Sequence, residues 1–499
     1  GGFPKREVVQ VDLDGLPDDA AELALARLLD EYRAVREERL AGDSKRARAA
    51  AGLLICGLQQ RLLSSVEAFA RTLRVHRKTV RRQWNEGAQA RATAAGSAPS
   101  TLDLFTEPVG SDDERADLTE DELRAEEDAQ VEAATDASAG SSADQPAAKF
   151  AQEQALLDEM SEIAERARGR PDARVRWLVD WMRQNMCAGV GQPPPESERP
   201  APWNDTRILI FTEWDDTKRY LVEQLEAAIT GTDRAGERIE VFHGPTPPEK
   251  REHIKRAFNA HPSRHPVRIL VATDAAREGL NLQAHCSNLF HFDVPWNPSR
   301  MEQRNGRIDR KLQPEPTVHC HYFVYLQRPE DRVLQVLVEK TKRIKRQLGS
   351  LAQVVEGRLA ELLAAGIRRD GVDEMLKNID AVDPSPDKIA AVRQELDEEH
   401  DRRQEVRQQI ERLRTQLDYS RAAVGLEESA FRAALSRSLE MLGAEPLRSE
   451  VGAAPSPSQQ PPRSRMEAYH DQNDPGPRSA GLLLRCRPSA AGPTPPRRR

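Results

Sequence analysis

The sequence predicts an α/β protein: one parallel-sheet lobe flanked by long helical segments and by disordered regions. Two observations carry this. Between residues 203 and 328, short apolar runs ("RILIF", "IEVFH", "VRILVAT", "NLFHFD" and "TVHCHYFVY") alternate with helical stretches such as 215–229 and 247–260. Buried runs separated by helices mark a parallel sheet covered on both faces. Outside that window, apolar residues recur at three-to-four spacing, the period of an amphipathic helix.

The segments follow in order. Residues 1–94 read as a helical linker or extension. "DDAAELALARLLDEYRAVREERL" has no interior Gly or Pro, and "LLICGLQQRLLSSVEAFARTLRVHRKTVRRQW" continues the period. Its second half carries Arg71, Arg74, Arg77, Lys78, Arg81 and Arg82. That density suits either a solvated face or a nucleic-acid backbone contact, and the sequence leaves both open. Residues 95–147 read as an acidic disordered insert, with a transient helix near 119–133 as its most ordered part. Residues 148–202 hold helices and a proline-rich linker, "VGQPPPESERPAPWND", leading into the lobe at 203–328. Residues 329–448 return to charged amphipathic helix, with a candidate coiled coil in "VRQELDEEHDRRQEVRQQIERLRTQL" (392–417). Residues 449–499, rich in Pro, Ser and Arg, read as a disordered tail.

Composition narrows the class. The 499 residues are 38% hydrophobic and 31% charged, and no stretch approaches the roughly 20 apolar residues that span a bilayer. The start, "GGFPKREVVQ", has neither an initiator Met nor an apolar signal core, so the chain is expected to be a fragment. Cys56, Cys187, Cys286, Cys320 and Cys486 include no CxxC pair, which suits reduced thiols and a cytoplasmic location. His319 and His321 in "HCHYF" share one strand face without a second ligand pair, so strand packing is expected there and no metal site is read. The net charge of −7 is uneven. Residues 103–144 hold 15 acids against Arg115 and Arg124, which leaves −13 in that segment and +6 elsewhere. A polyanionic partner for the remainder is therefore open.

Function in an open parallel sheet gathers at the carboxyl ends of the strands, and three loops there carry chemistry. "RILIFTEWDD" ends a strand at Phe211 and opens a helix with Thr212, Glu213 and Trp214. "RILVATDAAREGLNLQ" (268–283) ends a strand at Thr273 and then offers Asp274, Glu278 and Gly279. A hydroxyl, exposed amides and a glycine at a strand end can hold phosphate or ribose. "MEQRNGRIDR" (301–310) sets Arg304, Arg307 and Arg310 three apart with only Glu302 and Asp309 among them. On one continuous helix all three guanidiniums would project within a broad face, and their planar forks suit phosphate oxygens.

Together these stretches resemble the C-terminal lobe of superfamily 2 helicases, which is RecA-like. "RILIFTEW" resembles motif IV, "ILVATDAAREGLNLQ" motif V, and "QRNGRIDR" motif VI, with its QRxGRxxR pattern. "HGPTPPEKR" (243–251) stands where that lobe carries an HG…R element. "FDVPWNPSRMEQRNGRIDR" and "EDRVLQVLVEKTKRIKRQLGSL" are similar to the RapA-like group of Swi/Snf-type translocases, and "LQQRLLSSVEAFARTL" resembles that group's linker between lobes. With the helical extension 385–445, the nearest resemblance is to DrmD, the helicase of DISARM anti-phage defence.

The resemblance implies a role for each matched residue. Arg307 and Arg310 would be arginine fingers on the γ-phosphate of ATP, worth roughly 10³–10⁵ in rate. Gln303, Gly279, Glu278 and Asp274 would border the nucleotide. Thr212, His243, Gly244, Arg251 and Thr273 would touch the nucleic-acid backbone, with double-stranded DNA favoured and no base readout. Mg²⁺ and most of the ATP would belong to a first lobe with GxxxxGK[ST], in cis or in trans; other defence subunits are further candidate partners. This chain contains no Gly-Lys dipeptide, so alone it is expected not to turn ATP over. "DEEH" (397–400) is read as coincidence. Asp274 and Arg277 stand where related motifs carry smaller residues, and "RKLQ" (310–313) departs from the usual "RIGQ". The competing reading is a non-catalytic nucleic-acid-binding or scaffolding module built on a lone lobe.

Overall fold

A computed structural model describes residues 3–90, 120–138, 147–193, 199–244, 246–274, 282–311, 313–348, 353–381 and 428–442, with the short pieces 412–413 and 415–416. The chain divides into a unit of residues 1–398 and a second of 399–499. The second unit contains the helix Glu428–Met441. The expected coiled coil and Pro/Arg-rich tail lie almost wholly outside the described residues, and "DEEH" lies entirely outside them.

The first unit is built on a six-stranded, all-parallel sheet. Its strands are β1 (Lys5–Leu13), β2 (Ile208–Thr212), β3 (Ile239–Phe242), β4 (Ile269–Thr273), β5 (Asn288–His291) and β6 (Thr317–Tyr325), in the order β1-β6-β5-β2-β4-β3. β2 pairs β4 from Ile208↔Ile269 to Thr212↔Thr273, so both strands end level at their carboxyl edge. Alternation sorts the side chains. Ile208, Ile210, Ile269, Val271 and Phe290 join one core with α6 (Ala173–Asn185) and α7 (Asp215–Ile229). Leu209, Phe211, Leu270 and Leu289 join the other with α8 (Pro248–Asn259). Both faces are covered, as the unbroken apolar runs require.

The sheet is wider than its sequence signature. β1 lies in the stretch read as purely helical linker, yet it pairs β6 over its whole length, Lys5↔Thr317 to Leu13↔Tyr325. Val11 and Leu13 are buried in the lobe core. On β6, His321 stacks on Phe290 with ring centroids 4.4 Å apart.

Around the sheet stand α1 (Ala21–Arg39), α2 (Lys45–Ser64), α3 (Val66–Ala90), α4 (Glu120–Ala137) and α5 (Ala147–Ala167), sharing one apolar core. Ser44 caps α2 by accepting from Ala47 N, and Ser65 closes the α2–α3 joint by accepting from Ala68 N. α10 (Pro329–Leu348), α11 (Gln353–Leu363) and α12 (Val372–Ala381) pack with Cys56 and Leu63 of α2 in another core. Cys56, Cys187, Cys286 and Cys320 are buried and unbridged.

The insert expected to be disordered is not so over 120–138. α4 buries Val131 and Ala134, and its acids meet the arginines of α3. Arg71 pairs with Glu127 and Asp128, and Arg82 with Glu132 and Asp136. Low apolar content argues for disorder only when a segment must stabilise itself; α4 draws its compensation from a neighbouring helix. Beneath it lies a buried polar chain. Glu153 accepts from Arg36 at 3.1 Å and Arg39 at 2.5 Å. Arg36 donates to Tyr32 Oη and Ser138 Oγ, while His76 bridges Tyr32 to Thr135.

Candidate nucleotide and nucleic-acid site

The carboxyl ends of β2, β4 and β5 converge on Asp293, two residues beyond β5. Its Oδ2 accepts from Thr212 Oγ1 at 2.5 Å and Ser64 Oγ at 2.6 Å, and the Glu213 amide lies 3.0 Å from both carboxylate oxygens. Its Oδ1 accepts from Arg304. A buried carboxylate is tolerated only when its lone pairs are filled in this way.

Asn297 and Pro298 then start α9 (Pro298–Asn305): the Asn297 side chain accepts from Ser299 N at 2.9 Å, and proline occupies the first turn, where no amide is needed. α9 turns two arginines inward. Arg300 reaches Glu213 at 2.5 Å. Arg304, only 2% exposed, reaches Asp274 at 2.5 and 2.9 Å and the Asp293 carbonyl at 2.9 Å. Burial, aided by the carboxylates of Asp274 and Asp293, outweighs Arg300 and pushes the Glu213 carboxyl up to about 7. His291 is fully buried, donates from Nε2 to Asn305 Oδ1 over 2.8 Å, and is pushed down to about 3, first by burial and then by the Arg304 guanidinium.

This corrects the reading of three arginines on one face. α9 ends at Asn305, so only Arg304 is helical, and its anions are two carboxylates of the chain itself. Asp274, expected beside the nucleotide, is 1% exposed and held by Arg304. Arg307, 7% exposed, and Arg310, half-buried, lie on a turn beyond α9. The turn is fixed by Arg307 N to Arg304 O (3.0 Å), Leu282 N to Arg307 O (3.3 Å) and Arg310 Nε to Gly306 O (2.9 Å). Gln303 is exposed on α9. Gly279 and Glu278 lie outside the described residues.

The residues expected to touch nucleic acid divide. Thr212 and Thr273 are buried, and the Thr212 hydroxyl is given to Asp293. His243 and Gly244 form a turn with Thr246. Arg251 draws that turn closed, donating to Thr246 O and Gly244 O at 2.6 Å each, so its first task is to order the loop.

Sequence reasoning missed Asp293, Arg300 and the hydroxyls of Ser64, Ser65 and Thr217, which join one another at 2.7–2.8 Å and tie α2, α3 and α7 to Asp293. Arg61 adds a cation–π contact over Trp214 at 4.2 Å. One signal was present: in "NLFHFDVP" a single carboxylate ends an otherwise apolar run, and a charge there needs buried partners.

Residues 203–311 match the helicase conserved C-terminal domain. An uncharacterised ATP-dependent helicase, YqhH, of Bacillus subtilis is 33% identical over 151 residues, 30% of this chain and 25% of that protein. The RNA polymerase-associated protein RapA of Erwinia tasmaniensis is 27% identical over 139 residues, 28% of this chain and 12% of that protein. The matches therefore span a quarter or less of these relatives' own length. Among solved structures, the C-terminal part of the Fun30 ATPase domain aligns over 76% of this chain and all of its own at 11% identity, with a TM-score of 0.35. Residues 203–311 therefore form a helicase conserved C-terminal domain, and the chain is similar over that stretch to the ATP-dependent helicase YqhH and to RapA.

Proposed function

We propose that the chain supplies the second lobe of an ATP-dependent nucleic-acid translocase, acting with a first lobe in cis or in trans. The observation that carries this is the division of labour within motif VI. Arg304 binds Asp274 and Asp293 and locks α9 to the strand ends, while Arg307, 7% exposed, and Arg310, whose Nε donates to the Gly306 carbonyl, are held on the braced turn that follows. Guanidiniums carried by a rigid element suit transition-state charge stabilisation, which requires donors placed in advance. The donor set fits a triphosphate: Arg307 and Arg310 would hold γ-phosphate oxygens, and exposed Gln303 would meet the first lobe. ATP, with Mg²⁺ held mainly by that lobe, would supply the phosphoryl chemistry. Nucleic acid would run past the turn at His243 and Gly244, with double-stranded DNA the expected substrate. A place in anti-phage defence rests on the resemblance of the helical extension alone.

The test is DNA-stimulated ATP hydrolysis by the chain joined to a first lobe. Arg307→Ala should lower turnover by roughly 10³-fold or more; because Arg307 is only 7% exposed, circular dichroism and the melting temperature of the variant separate this loss from a loss of fold. Turnover that survives this change would overturn the arginine-finger assignment.

A further inference from the structure

The helical bundle carries a cationic feature that the nucleotide site does not use. On α3, Arg74, Lys78, Arg81 and Arg82 are all exposed. Their spacing of four, three and one puts them on one face, over about 12 Å of helix. Acids flank the stripe on two sides: Arg82 meets Glu132 and Asp136 of α4, Arg74 meets Glu165 of α5 at 2.6 Å, and Arg81 meets Asp158 of α5 at 2.8 Å. Lys78, in the middle, has no acidic partner among the described residues. Each of these acids is itself 42–45% exposed, so the individual ion pairs are worth about 1 kcal/mol or less.

One end of the stripe is aromatic. Trp84 is 43% exposed and stacks on Phe150 at 3.9 Å, nearly parallel. An open cavity of about 440 Å³ lies beside it, lined by Arg81, Trp84, Asn85, Phe150, Ala151 and Gln154. The Gln154 amide nitrogen is buried there without an acceptor among the described residues. Cations in a row beside an exposed indole match the phosphates and sugars of a nucleic-acid backbone. α4 meanwhile presents eight acids and one base over Glu120–Ala137. Its carboxylates occupy the positions that phosphates would take against Arg82.

We infer that this face of α3 is a second nucleic-acid docking surface, and that the carboxylates of α4 are its built-in competitors. The inference rests on the reading of nucleic acid as partner, but on none of the residues assigned to ATP. Competition requires only that side-chain ion pairs exchange, with α4 staying in place. The surface contacts backbone, so its affinity falls steeply with salt and carries no sequence preference.

The experiment is fluorescence anisotropy of the full chain with a labelled 20-base-pair DNA across a salt series. Folding of each variant is checked by circular dichroism. Glu132→Gln with Asp136→Asn should tighten binding by about fivefold or more, because two competing charges are gone. Arg74→Ala with Lys78→Ala should weaken it and lower the log–log salt slope by about 1.8, the value for two lost phosphate contacts. An unchanged affinity in either folded double variant overturns the inference. So does a failure of both the parent chain and the acid-neutralised variant to bind. These outcomes are separate from the ATP reading, since Arg307→Ala should leave binding at this face untouched and hydrolysis by the two-lobe protein is measured independently.

Discussion

Arg304 donates to the main-chain carbonyl of Asp293 at 2.9 Å and lies 3.3 Å from its carboxylate, so one side chain reads both the backbone and the charge at the exit of β5. The same guanidinium holds Asp274 at the exit of β4. The two strands on either side of β2, together with α9, thereby share one buried cation. Through Ser64, Asp293 extends the link to the end of α2. The position of the motif VI turn is consequently tied to the helical bundle as well as to the sheet.

Removing that cation should be severe. Arg304→Ala would leave Asp274 and Asp293 buried without their shared counter-charge, and breaking such a pair costs about 3–5 kcal/mol. Arg304→Lys keeps the charge but cannot span two carboxylates and a carbonyl with a planar fork, so it should recover only part of the loss. Urea unfolding of the three proteins checks the order. A loss below about 1 kcal/mol for the alanine variant would mean that the network is not a structural brace.

Glu213 gives a pH signature. Its carboxyl is raised from an ordinary value of 4.5 to about 7, chiefly by burial. Between those values the folded protein binds a proton that the unfolded chain releases, so stability from this group is full below pH 4.5 and lost as pH rises through 7. Glu213→Gln is neutral throughout. The stability of this variant relative to the parent should therefore rise from pH 5 to pH 8, by an amount on the order of 1.4 kcal/mol per unit. A difference that stays flat over that range would place the Glu213 charge outside the folding equilibrium.

His291 works in the opposite direction. Held near 3 by burial and Arg304, it stays neutral in the folded protein while the unfolded chain protonates below about 6.5. The stability it contributes is present above 6.5 and lost as pH falls toward 3. The parent should therefore lose more stability than His291→Gln between pH 7 and pH 4.5, as read from denaturation midpoints. Equal losses would show that the ring titrates alike in both states.

The lobe was legible because buried parallel strands announce themselves as unbroken apolar runs, and motif VI because its arginines are so close together. Other features depend on partners far away in sequence. "KREVVQVDL" is charged enough to pass for linker, and it becomes a strand only because β6, more than 300 residues later, offers an edge. α4 has few apolar residues of its own and owes its place to Arg71 and Arg82. The inward turn of Arg304 could not be read from its spacing, because spacing is blind to which helix end comes first and to where Asp274 and Asp293 lie. Arg307, which is also buried, and half-buried Arg310 fall past the last helical residue.

The same logic of shared buried charge reaches the bundle and can be tested there. Glu153 is fully buried and is the joint acceptor for Arg36 and Arg39, which link α1 to α5. Arg36 also donates to Ser138, just beyond α4. Glu153→Ala would strand two buried guanidiniums and should cost about 3–5 kcal/mol. Glu153→Gln keeps the shape and one acceptor oxygen but removes the charge, so it should cost less. Because Ser138 leans on Arg36, the damage should extend beyond α1 and α5: amide hydrogen exchange over 131–138 should accelerate in the alanine variant more than over β2 and β4. Uniform acceleration across bundle and sheet would instead mean that Glu153 stabilises the unit as a whole, and that α4 has no local dependence on it.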